Sequence, residues 1–446
     1  MRVLVVSDLA QTGFGRVGRE LATRLLGMGH DIRVIGINWR GVDGELTASV
    51  GPGTIVAQAV RVRAALEHLE ADPIVDRIMP ANIAGDGMGH NLTSPALRGQ
   101  LWPGWVPEGA IIVADPRAMW GRLVSDNGAI GASKIPILNY VPIEGGGLPR
   151  DWALIWQHVT PVAMSAFGQA ELQKLLDRPV ALAHHGVSDA FRPLSPADPG
   201  IFRGKPVTSP DGAKAAIGAG LHLDLRGRTV ILRTDRFIVR KNYPAWFRVL
   251  RPVLATAPDA IAIAHTVPLD DDGRGTIWQL ISREEGAVAV GIGDSGDAIW
   301  EHPQYRLTGW HDSYTGLSDE ELRVLYCAAD LVVSPTMAEG FGLTLAEALG
   351  CGVPVVATDY SAIGEVVGPG GVLIPVDRLF TNPYAHEWAL VDESAMTAAV
   401  MDLVAHPAKR RALGAEGRRH IAQFNWAACA AIFDRLLREG SAAVAA

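Results

Sequence analysis

Two carboxylates eight residues apart, Glu339 and Glu347, frame the run Glu-Gly-Phe-Gly-Leu-Thr-Leu-Ala-Glu. The apolar stretch Leu331–Ser334 ahead of it reads as a buried strand stopped by Pro335, and Leu343–Leu349 as the helix that follows. Gly340 and Gly342 let the backbone approach a ligand, and the amides around Phe341, Gly342, Leu343 and Thr344 open that helix. Unpaired N–H groups at the positive end of a helix dipole attract anions. Glu347 lies about one turn farther on, where its carboxylate can accept hydrogen bonds from a diol. Cations stand on another segment: Arg236 and Lys241 follow the strand-like run Thr229–Arg233. An arginine offers a planar fork to phosphate oxygens, and a lysine adds a point charge. Carboxylates for hydroxyls beside cations for a diphosphate are what a sugar nucleotide requires.

The elements that must position these groups are those of an α/β chain. Arg2–Ser7 reads as a strand, Gln11-Thr-Gly13-Phe-Gly15 as a glycine-rich turn, Arg16–Met28 as a helix and Asp31–Ile37 as a second strand. Further strands are expected at Ala110–Ala114, Ile135–Val141 and Val159–Ser165. A second series comprises Thr229–Arg233, Ile261–His265, helix Glu320–Ala329, Leu331–Ser334 and Val353–Thr358. Between Phe191 and Gly227 the periodicity fades into Pro, Gly, Ser and charge. The expectation is therefore an N-terminal Rossmann-like domain over 1–195, a linker region over 196–227, and a C-terminal Rossmann-like domain over 228–424. A final amphipathic helix over 425–446 would rejoin the first. In such doubly wound folds the ligand crevice lies at the carboxyl ends of the strands.

Bulk properties agree with that class. The chain has 446 residues, 48% hydrophobic and 20% charged, which suits two well-packed domains and excludes a disordered chain. A net charge of −8 weighs against broad binding to nucleic acid or anionic membrane. The three cysteines, Cys327, Cys351 and Cys429, lie in apolar contexts and read as buried thiols of a reduced, cytoplasmic protein. No run approaches the ~20 apolar residues of a membrane span.

Arg236-Phe-Ile-Val-Arg-Lys241-Asn together with Glu339 and Glu347 resembles the signature of family 4 retaining glycosyltransferases, which have the GT-B fold. Ser165-Ala-Phe-Gly, His185-Gly-Val-Ser-Asp-Ala-Phe-Arg-Pro, Gly352-Val-Pro-Val-Val-Ala-Thr, Gly364-Glu365 and Phe424-Asn-Trp426 are similar to further segments of that family. The resemblance is densest from Thr229 to Pro375. It implies that Arg236 and Lys241 hold the donor diphosphate and stabilise the leaving nucleotide. Glu339 would contact the transferred sugar, Glu347 the ribose, and Gly13 and Gly15 would approach the diphosphate from the first domain. It also implies retention of anomeric configuration, a nucleoside-diphosphate sugar as co-substrate, and no obligatory cofactor or metal. The acceptor stays open: a glycan, a lipid-linked sugar, a small metabolite, or a hydroxymethylated pyrimidine in DNA. A nonenzymatic sugar-nucleotide-binding protein, or a phosphorylase or epimerase of the same fold, are the rival classes.

This chain also departs from the family pattern. The family's first-domain histidine has no match in Pro136-Ile-Leu-Asn-Tyr140-Val-Pro142-Ile-Glu144-Gly-Gly-Gly, so Tyr140, Glu144 and His185 are the acceptor-side candidates. Asn242 stands where the family has glycine, and Thr381–Glu393 reads as an extra loop. Asp270–Asp272 invites a metal reading but fits a solvated turn better, and His184-His185 fits opposite faces of a strand. Arg16, Arg19 and Arg24 read as a solvated helix face, and the loop Thr308–Thr315 as a frame for the base.

Overall fold

The computed structural model describes residues 1–9, 13–37, 78–80, 90–125, 128–266, 279–280, 283, 288–292, 298–308 and 317–445. The Asp270–Asp272 triplet, Gln11, Thr12 and most of the Thr308–Thr315 loop lie outside these described residues.

Short apolar runs with side chains buried on both faces favour parallel strands covered by helices. The first sheet has seven described strands, β1 (Arg2–Asp8), β2 (Asp31–Ile37), β3 (Ile78–Pro80), β4 (Gly109–Val113), β5 (Ile137–Val141), β6 (Thr160–Ala163) and β7 (Ala181–Leu182). Their order is β3-β2-β1-β4-β5-β6-β7, all parallel. Alternation decides the layers: Val3 and Val5 join one core, Leu4 and Val6 the opposite one. The helices α1 (Gly13–Gly27), α2 (His90–Leu97), α3 (Pro116–Ser125), α4 (Ala129–Ala132) and α5 (Ala166–Leu176) connect these strands.

The stretch read as a linker carries structure of its own: hairpin β8 (Gly200–Phe202) and β9 (Lys205–Val207), then α6 (Pro210–Gly220), capped by the Ser209 hydroxyl. Its scattered apolar residues Phe202, Val207, Ile217 and Leu225 are buried in the second domain's core. The second sheet contains β10 (Thr229–Arg233), β11 (Ala260–Ala264), β14 (Tyr305–Leu307), β15 (Leu331–Ser334), β16 (Val355–Thr358) and β17 (Gly371–Ile374), after an intervening hairpin β12 (Val288–Ile292) and β13 (Ala298–Glu301). The order β14-β11-β10-β15-β16-β17 is again parallel and doubly wound, reversing direction at β10. Helices α7 (Tyr243–Thr256), α8 (Asp319–Cys327), α9 (Leu343–Gly350) and α10 (Ile363–Val367) cover it. The chain then adds hairpin β18 (Val376–Thr381) and β19 (Glu387–Val391), followed by α11 (Glu393–Ala405), α12 (Pro407–Ile421) and α13 (Trp426–Ala445).

Helix α13 spans Trp426–Ala445, close to the 425–446 expected for it. Trp426, Cys429, Ala430, Phe433 and Leu437 form a stripe at helical spacing, buried with Val3 and Leu21 of the first domain. The first helix differs from expectation. It begins at Gly13, so Gly13 and Gly15 are in its first turn. Amides there lack intrahelical partners in any helix, which makes glycine less costly than at mid-helix.

Candidate functional site

Strand β10 ends at Arg233, and the chain leaves the carboxyl edge of the sheet through Thr234 and Asp235 into a 3-10 turn, Val239–Lys241. Asn242 closes that turn in the left-handed region (φ 52°), a conformation open to asparagine as well as glycine, and caps α7. The turn sets two cations side by side. Lys241 Nζ lies 2.8 Å from Asp235 Oδ1 and 2.6 Å from Glu339 Oε1. Arg240 Nη1 lies 3.0 Å from Glu339 Oε2, and its Nη2 lies 2.7 Å from Glu144 Oε1 on the opposite domain. Arg233, fully buried, pairs with Asp235 at 3.1 Å and donates to the carbonyl of Lys241. Arg233, Arg240 and Lys241 thus face Asp235, Glu339 and Glu144.

Such a cluster survives burial because each charge has partners. Burial pushes the Glu339 carboxyl up, but Lys241 and Arg240 outweigh it and hold it below the ordinary range. Asp235 is likewise held low against burial by Lys241 and Arg233. Glu144 goes the other way: burial raises it, and Arg240 offsets only part of that effect.

Helix α9 begins beside this cluster. Gly342 at its N-cap has φ 100°, strained for any other residue, and Gly340 touches the first domain. A Cβ at Gly340 would stand 2.4 Å from the Pro142 Cβ. Thr344 Oγ1 is 3.5 Å from Asp235 Oδ1, and Leu343 packs against cores of both domains. One turn along, the carboxylate of Glu347 is gripped through each oxygen: Oε1 accepts from Arg16 of α1, and Oε2 from the Tyr326 hydroxyl at 2.9 Å. Burial raises the Glu347 carboxyl, with Arg16 working against it.

Lys241, Glu339, Thr344 and Glu144 are therefore gathered in one place, and Gly13 faces Leu343 across the cleft, the distance from its ideal Cβ to Leu343 Cδ1 being 3.4 Å. Arg236 is exposed at the edge of the turn. Phe341 contributes a buried ring as well as an amide, stacked edge-on against His185 and Phe424. Tyr140 and His185 lie apart from the charged cluster. The Tyr140 hydroxyl is 2.6 Å from His185 Nδ1 and 2.7 Å from the Ala183 carbonyl, and burial lowers His185 to about 3. His184 points the other way, to Glu365 at 3.0 Å.

Asp235, Arg240, Tyr326 and Arg16 escaped sequence reasoning. Position at a strand's carboxyl end could have marked Asp235. Nothing local separates Arg16 from Arg19 or Arg24, and only the fold shows that it leaves the solvated face to pair with Glu347 and Asp319.

The Thr381–Glu393 segment is mostly the β18–β19 hairpin and its turn, and it clasps the loop carrying Glu144. Trp388 Nε1 donates to the Glu144 carbonyl at 2.9 Å, Glu387 N to the Gly146 carbonyl at 2.8 Å, and Arg117 of α3 stacks on the Tyr384 ring at 3.8 Å.

Residues 277–404, which include both signature glutamates, match the family described as "Glycosyl transferases group 1". An MMP alpha-(1->4)-mannosyltransferase of Mycolicibacterium hassiacum is 39% identical over 133 residues, 30% of this chain and 30% of that protein. O-antigen chain mannosyltransferase B of Escherichia coli is 32% identical over 134 residues, 30% of this chain and 32% of its own. Each match thus spans about a third of the relative's length. In fold the likeness covers everything: sucrose-phosphate synthase from Thermosynechococcus elongatus superposes with a TM-score of 0.61 at 17% identity, over 99% of this chain and 100% of that one. The fold is GT-B, two Rossmann-like domains across a cleft. No helix among the described residues is long and apolar enough to cross a membrane.

Proposed function

We propose that this chain is a retaining glycosyltransferase that moves a sugar from a nucleoside-diphosphate sugar to a hydroxyl acceptor. The observation that carries the reading is the clamp of Lys241 and Arg240 on Glu339 at the mouth of α9, facing Glu144 of the other domain. Arg236, Lys241 and the first amides of α9 bind the diphosphate and take up the charge that grows on it as the glycosidic bond breaks. Interactions of that kind, aimed at developing charge, are typically worth ~3 kcal/mol each. Glu339 accepts hydrogen bonds from the sugar, its orientation held by Thr336 and the two cations. Glu347 takes the ribose hydroxyls. The acceptor hydroxyl attacks the same face that the diphosphate leaves, passing its proton to the departing phosphate oxygen through an oxocarbenium-like transition state. Glu144 flanks the acceptor's approach from the first domain. No observation favours DNA as acceptor or a nonenzymatic role.

The test is a thermal-shift screen with UDP-, GDP- and ADP-sugars, followed by NMR of the product's anomeric centre. A donor present at 100 times its dissociation constant stabilises by about 2.7 kcal/mol. Stabilisation by one base, with retention in the product, is the expected result. Failure of every donor at millimolar concentration, or an inverted product, refutes the reading.

A further inference from the structure

Glu347 lies on α9 of the second domain, yet part of its setting comes from the first. Arg16, in the opening turn of α1, donates to Glu347 Oε1, brings its Nε within 3.0 Å of Asp319 Oδ1, and lays its guanidinium 5.3 Å from the centre of the Phe191 ring. The other carboxylate oxygen accepts from Tyr326, whose hydroxyl is 2.7 Å from Thr234 Oγ1. Each oxygen of Glu347 is thus held once, and each keeps a lone pair. A carboxylate fixed in this way, with one acceptor site left per oxygen, matches a vicinal diol that donates two hydrogen bonds. Without the guanidinium, a carboxylate only 2% exposed would face the Asp319 charge and the cost of burial with one neutral hydrogen bond to support it.

We propose that Arg16 is a positioning residue for the ribose: it holds the Glu347 carboxylate in the orientation that the 2′,3′-diol requires, so that the sugar of the nucleotide is recognised fully only when the two domains are together. The inference rests on the donor reading above and adds a first-domain residue to a pocket otherwise built from the second. It also makes discrimination between ribose and deoxyribose a property of domain closure. Arg16 touches no substrate itself; its influence passes through Glu347.

The experiment compares UDP, GDP and ADP with their 2′-deoxy analogues by calorimetry on the full chain, for the native protein, Arg16→Gln, Arg16→Ala and Arg16→Lys. For the base that binds, the native protein is expected to prefer the ribonucleotide at least tenfold. Arg16→Gln and Arg16→Ala should bring that ratio to within about threefold of unity while the 2′-deoxy nucleotide keeps its affinity. Arg16→Lys should restore much of the preference. A role in packing alone would weaken both nucleotides together and leave the ratio unchanged. An unchanged ratio in a glutamine or alanine variant with a native melting curve overturns the inference and leaves the donor reading intact. Absence of any nucleotide binding by the native protein overturns both.

Discussion

Gly340→Ala adds one methyl group where the domains meet. Its carbon would stand 2.4 Å from the Pro142 Cβ and 3.0 Å from the Pro142 Cα, against an optimal carbon–carbon separation of about 3.5–4.0 Å. The Pro142 ring is fixed to its backbone and cannot swing aside, so relief requires the seam to widen by roughly 1 Å. Overpacking of this kind costs about 1–3 kcal/mol. That cost falls on the closed arrangement, shifting the closed-to-open ratio by about 5- to 150-fold. The same widening stretches the 2.7 Å contact between Arg240 and Glu144, which crosses the seam close by. Lys241, Asp235 and Glu339 lie within the second domain and stay together. Donor turnover should therefore fall by about tenfold or more, while the dissociation constant of the bare nucleoside diphosphate changes less than threefold. Steady-state kinetics beside calorimetry separates the two. Turnover at the native rate in Gly340→Ala would show that turnover does not depend on the Pro142–Gly340 contact, and the closed-cleft reasoning would fail.

Lys241→Met leaves Asp235 and Glu339 buried without their shared cation, so unfolding in urea at pH 7 should show a loss of about 3–5 kcal/mol. In the native protein both carboxyls are held below their ordinary values, so their contribution is present above about pH 4 and fades on acidification; the gap between native and variant should narrow as the pH falls. His185 acts in the same direction, but over a higher pH window. Burial, then neighbouring His184, lowers it from 6.5 to about 3, so below pH 6.5 the unfolded chain binds a proton that the folded one refuses. Stability should fall through that window with a slope of up to ~1.4 kcal/mol per pH unit, flattened in His185→Phe, with urea midpoints between pH 7 and pH 4 as the measure.

Much of this molecule was legible in its sequence because the deciding forces are local. Strands at Thr229–Arg233 and Leu331–Ser334 are apolar runs bounded by polar turns, and they occur at those residues in the fold. The glycine pair at 340 and 342 and the helix after it follow from backbone geometry and unpaired amides. The apolar stripe of α13 declares a helix with one buried face. None of these judgments needs a partner distant in sequence.

Everything that required a second segment waited for the tertiary structure. Which core receives α13 is not written in its stripe, since apolar burial has no direction. The 376–391 segment has no pattern that reveals it as a clasp on the Glu144 loop. Arg16 and Arg19 are the same residue type in one helix, and only the approach of Glu347, 331 positions away, draws Arg16 across the cleft. Tyr140 and His185 looked like polar groups near a site, and packing turned them toward each other. Periodicity and turn chemistry act over a few residues, so sequence states them. Ion pairs between domains depend on distance in space, and only the folded chain sets that distance.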